Sequence, residues 1–112
     1  MAGVIKRIAG PLALTNTYTT DVYNNTSALI YHVIRHIHVV NKTAGDVTFR
    51  LYLGATGTNA AGTELFYDKT VGAYDVYDWY GALKITSTDF IVGGASASTS
   101  LTITIEGDAQ VV

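Results

Sequence analysis

A stretch of 112 residues can bury one hydrophobic core but not two, so a single domain is expected. Hydrophobic residues make up 48% and charged residues only 14%, so a folded chain is expected, and so few charges suit a protein that hides surface against partners. The seven Lys and Arg are scattered (positions 6, 7, 35, 42, 50, 69 and 84) under a net charge of −2, so no basic stripe marks a nucleic-acid partner.

The chain has no cysteine, which removes disulfides and thiolate metal ligands. No apolar run approaches the roughly 18 residues that span a bilayer, so no membrane partner is expected. Near the N-terminus, "IAGPLAL" after Lys6 and Arg7 faintly resembles a signal h-region, but Gly10 and Pro11 break the helix that such a region needs. Sequons at Asn24, Asn25 and Asn41 read as accidents of an Asn- and Thr-rich composition.

Sixteen threonines, eight tyrosines and many Val and Ile favour strands, punctuated by eleven glycines and one proline. No window carries a 3.6-residue apolar repeat, so little or no helix is expected. In chain order, an extended piece at Val4 to Ile8 ends at Gly10–Pro11, and a strand at Thr17 to Tyr23 ends in "NNTS". A long strand, Ala28 to Asn41, closes at "KTAGD", where Gly45 and Asp46 supply turn chemistry. Val47 to Leu53 alternates, with Val47, Phe49, Leu51 and Leu53 facing one way. After the small-residue loop "GATGTNAAG" come strands at Thr63 to Tyr67, Asp75 to Leu83 and Asp89 to Val92. The last, "LTITIEG", is the cleanest alternation: Leu101, Ile103 and Ile105 face a core, Thr102, Thr104 and Glu106 face outward. These elements predict an all-β, single-domain antiparallel β-sandwich, jelly-roll-like, over residues 15–112. Residues 1–14 are expected as an extended N-terminal arm.

All three histidines lie in "IYHVIRHIHVVNK", Ile30 to Lys42. Uninterrupted alternation puts Ile30, His32, Ile34, His36, His38 and Val40 on one face, and Tyr31, Val33, Arg35, Ile37 and Val39 on the other. His36 and His38 form an H-x-H pair, the spacing by which a strand offers two imidazoles to one metal ion. His32 is too far along the strand to join them, and no acid follows until Asp46, beyond the turn. The cupin pattern of H-x-H followed by Glu is absent. His36 and His38 are therefore weak metal candidates, and the favoured reading is imidazoles hydrogen-bonded on a half-buried sheet face; no cofactor is expected. Nucleophile and phosphate-loop motifs are missing, so an enzyme is not expected.

"YDVYDWYGAL", Tyr74 to Leu83, carries aromatics on both faces, with Tyr77 and Trp79 on one and Tyr74 and Tyr80 on the other. One set can fill a core, and the other is left for an interface. Trp79 beside Asp75 and Asp78 also suits a sugar-binding platform.

The succession "GPLALTNTYTTDVYNN", "VIRHIHVVNKTAGDVTFRLYLGA", "GTELFYDKTV", "VYDWYGALKI" and "SLTITIEG" resembles small virion proteins of tailed bacteriophages, from Gly10 to Gly107. That resemblance implies a structural protein without catalytic residues, made in the bacterial cytoplasm and built into the phage particle. It implies a capsid decoration (cement) protein whose expected partners are the major capsid protein or other virion proteins and two further copies in a homotrimer. The contact residues expected are Val4, Ile5, Ile8 and Leu12 of the arm with Tyr77, Trp79 and Tyr80. A tail, neck or fibre-base component and a carbohydrate-binding module for host glycans are the alternatives.

Overall fold

Leu101, Ile103 and Ile105 are completely buried while Glu106 is exposed, and the strand that carries them has a neighbour on each side. A computed structural model describes residues 4–24, 29–54, 58–86 and 89–111 and contains eight strands. They are β1 (Val4–Ala13), β2 (Thr20–Asn24), β3 (Ile30–Asn41), β4 (Val47–Gly54), β5 (Glu64–Val71), β6 (Val76–Ile85), β7 (Phe90–Ala95) and β8 (Leu101–Val111). Among the described residues there is no helix.

The strands form two four-stranded antiparallel sheets, ordered β1-β8-β3-β6 and β2-β7-β4-β5. The pairing is nested: β1 lies beside β8, β2 beside β7, β3 beside β6 and β4 beside β5. This is the expected all-β antiparallel sandwich. Its core lies between the sheets, where Ile34, Ile37, Val39, Ile85, Ile103 and Ile105 of the first meet Phe49, Leu51, Val71 and Ile91 of the second. Each such side chain contributes about 1.5–3 kcal/mol on burial, enough together to hold the two layers face to face.

The N-terminal segment differs from its expectation as an arm. Val4–Ala13 pairs along β8, and Ile8, Ala9 and Leu14 are buried in the core, so this segment is the edge strand of the first sheet. Gly10–Pro11 does not interrupt it. The register passes from Ala9↔Ile105 to Leu12↔Ile103, so β1 carries one extra residue there. Gly10 sits at a φ of +75°, and a Cβ on it would lie 2.2 Å from the Ile103 carbonyl oxygen. An edge strand with a bulge accommodates both glycine and a proline that has no N–H to give the ladder.

Asn41 closes β3 from within. It is buried, its Nδ2 donates to the carbonyls of Gly45 (2.8 Å) and Val71 (3.0 Å), and its Oδ1 accepts the Thr43 amide at 2.9 Å. One amide side chain thus satisfies both the "KTAGD" turn and the end of β5.

Candidate functional site

The histidines are parted by a β-bulge. In the β3–β8 ladder Ile34 pairs with Gly107 but His36 with Glu106, so Arg35 is an extra residue and the alternation slips by one. Before the slip, His32 and Ile34 face the core; after it, Ile37 and Val39 do. The expectation that all three histidines share a face is therefore corrected. His36 and His38 lie on the outer face of the first sheet, and His32 lies beneath it.

His32 is 4% exposed, with its Nδ1 3.3 Å from the Tyr23 hydroxyl and the two rings edge-on. Burial, and secondarily the positive charge of Lys6, lower its pKa below the usual imidazole value. The fold therefore favours its neutral form. Its contribution is complete above about pH 6.5, the unfolded value, and is lost as the pH falls through the lower folded value. Chemical denaturation of wild type and His32→Leu tests this: between about pH 7.5 and 5 the wild type should lose stability relative to the variant. A difference independent of pH would reject it. The comparison is needed because His36 has the opposite sign. Its pKa is raised, and its contribution is present below the unfolded value and lost as the pH rises through the folded one.

Around His36 and His38, two neighbouring strands supply acids. His38 lies opposite Asp78 of β6, and His36 lies between Tyr80 of β6 and Glu106 of β8. One oxygen, Asp78 Oδ1, is 2.6 Å from His36 Nε2 and 2.5 Å from His38 Nδ1. The other nitrogen of His36, Nδ1, is 3.3 Å from Glu106 Oε1. Tyr80 stacks on the His36 ring, with centroids 4.5 Å apart and planes within 2°. Partial burial draws the His36 pKa down, but its hydrogen bonds to Asp78 and Glu106 outweigh that and raise it. Hydrogen bonds from His38 and then His36 hold the Asp78 carboxyl below the usual carboxylate range. The side chains of His36, Asp78 and His38 are 22%, 29% and 34% exposed, so the cluster is ordered yet open to solvent.

Sequence reasoning missed Asp78 and Glu106 as partners, because both come from other strands. The one local signal was the spacing of Ile34, Ile37 and Val39, which can share a buried face only if the strand slips phase.

The remaining expected contact residues separate. Ile5 is 81% exposed, Ile8 is buried in the protein's own core and Leu12 packs partly against it. Val4 pairs through its backbone with Ala109, and its side chain lies outside what is described. Tyr77 and Trp79 are half-buried against the core, whereas Tyr80 is 71% exposed on the opposite face. Trp79 lines a cleft of about 140 Å³ with Ile37, Leu65, Phe66 and Leu83, at the side of the sandwich where edge strands β5 and β6 face each other.

No protein-family model matches this chain, and no curated protein matches it.

Proposed function

We propose that this protein is a bacteriophage virion structural protein of capsid decoration (cement) type, an all-β subunit that acts by contact and performs no catalysis. The observation that carries the reading is the apolar surface of β6 and the turn before it. Tyr74, Val76 and Tyr80 are 73%, 46% and 71% exposed, on an edge strand whose outer side has no partner among the described residues. Such an edge, with the Trp79-lined cleft behind it, is a surface suited to burial against another subunit. The nested strand order supports a jelly roll, an architecture frequent in viral capsid proteins but shared with lectins and cupins, so the fold is support of a general kind.

In this reading the subunits form homotrimers that bridge capsid proteins, and many weak contacts act together to resist subunit loss. The sugar-binding alternative is not favoured. Asp78 is bonded to histidines on the outer face of β6, while Trp79 packs on the inner face, so the two do not share one platform.

The deciding experiment is quantitative mass spectrometry of purified virions against the major capsid protein. A ratio near unity, or a simple lattice fraction of it, is expected. A few chains per hundred capsid subunits would move the protein to the tail or neck, and its absence from particles would overturn the reading.

A further inference from the structure

We propose that His36, His38 and Asp78 form a binding site for a divalent first-row transition ion of the zinc class, on the outer face of the first sheet. One ligand atom from each residue lies within 4.8 Å of the others. Two imidazoles and one carboxylate suit such ions, and three protein ligands leave a coordination position open. Ligand bonds of about 2.0–2.1 Å arranged tetrahedrally set neighbouring ligand atoms roughly 3.3 Å apart. Asp78 Oδ1 now lies 2.5–2.6 Å from both nitrogens, closer than that spacing, and the three ligand atoms lie within 4.8 Å of one another, so seating an ion requires the carboxylate to back away and the two rings to turn toward the ion.

Three further observations point the same way. Glu106 accepts from His36 Nδ1, the nitrogen that does not face Asp78. A carboxylate on the far nitrogen of a ligating imidazole is the usual outer support of a metal-bound histidine, because it fixes the tautomer and makes the ligand more basic. Tyr80 stacked on the same ring fixes its plane before any ion arrives. Charge agrees as well: once the protons facing Asp78 have left, both imidazoles are neutral and Asp78 and Glu106 leave the cluster with two negative charges for the ion to meet. The ion takes the place of the protons that now hold the rings to Asp78 Oδ1, so uptake releases protons and weakens in acid.

The ligands come from β3 and β6, so a bound ion would tie the edge strand to its neighbour and raise the melting temperature by mass action. The site is independent of the assembly reading: metal content of the isolated chain tests one, and copy number in particles tests the other.

The test is titration of the purified full chain with Zn²⁺ alone, followed by calorimetry and elemental analysis, with Co²⁺ absorption reporting the coordination geometry. One ion per chain is expected, with a rise in melting temperature that EDTA reverses. Asp78→Ala and His38→Gln should each abolish stoichiometric uptake. Glu106→Gln retains all three ligands and should weaken binding about 10- to 100-fold. Asp21→Asn, exposed on β2 of the other sheet, should change nothing. Circular dichroism checks folding, and should Asp78→Ala misfold, His38→Gln and Glu106→Gln still decide. Failure to take up Zn²⁺ or Co²⁺ at millimolar metal, or equal uptake by folded His38→Gln and wild type, would overturn the proposal.

Discussion

Replacing Phe49 with alanine should destabilise the fold by about 3–5 kcal/mol, the range for removing a buried aromatic ring. Phe49 is completely buried in β4, and its ring lies 5.4 Å from that of Phe66 and 6.0 Å from that of Tyr77. Phe66 belongs to the same sheet and Tyr77 to the other, and these two rings meet edge-on at 5.8 Å. The three rings therefore join the two layers beside the open cleft. Without Phe49 that junction has no filler, because Phe66 and Tyr77 are anchored on separate strands and cannot both move inward. A domain of this size holds roughly 5–15 kcal/mol in total, so the variant should unfold at a much lower temperature, by roughly 15 °C or more. Thermal unfolding by circular dichroism reads this directly, and a fall of only a few degrees would mean that the junction repacks.

Gly107→Ala should be nearly as damaging, although it adds one carbon. A Cβ at Gly107 would lie 2.0 Å from the Val33 carbonyl oxygen, 2.9 Å from the Val33 carbonyl carbon and 3.0 Å from the Ile34 Cα. All three are backbone atoms of the strand next to it, held by ladder pairing on either side of the bulge. A flexible side chain could turn aside, but a paired backbone cannot. Overpacking usually costs 1–3 kcal/mol, and this site should reach about 3 kcal/mol or more. Relief of the clash requires the bulge to move, and the bulge is what turns His36 and His38 outward. Histidine NMR resonances should therefore shift in Gly107→Ala along with the lower melting temperature. Gly45→Ala, in an open turn with nothing within 4 Å of the new carbon, should leave both unchanged. Equal melting temperatures for wild type and Gly107→Ala would exclude the close approach.

Strands whose phase never slips were legible from their residues. Val47, Phe49 and Leu51 face inward as their alternation requires, and so do Leu101, Ile103 and Ile105. Hidden features came from two sources. One is irregular pairing: the extra residue at Arg35 reverses every side chain after it, and the bulge at Gly10–Pro11 lets a segment that reads as broken remain paired. The other is adjacency. Asp78 is 40 residues from His38 and Glu106 is 70 residues from His36, so no local pattern could bring them together. Alternation did put Glu106 on an outward set, and left open which face of the strand Asp78 shares was outward. What it could not tell is that β6 and β8 flank β3.

The nested pairing also sets an order of completion. Every strand of the β2-β7-β4-β5 sheet precedes residue 96, so that layer can assemble while the rest of the chain is still being made. The other layer cannot, because β8 stands between β1 and β3 and is the last of these eight strands to leave the ribosome. Until Leu101, Ile103 and Ile105 arrive, β1 has no ladder partner and one side of the first layer's hydrophobic surface stays uncovered. Distant strands that must meet fold slowly, in milliseconds to seconds. For this chain the vulnerable interval lies between completion of the second layer and the emergence of β8, when exposed apolar strands wait for the segment that locks them.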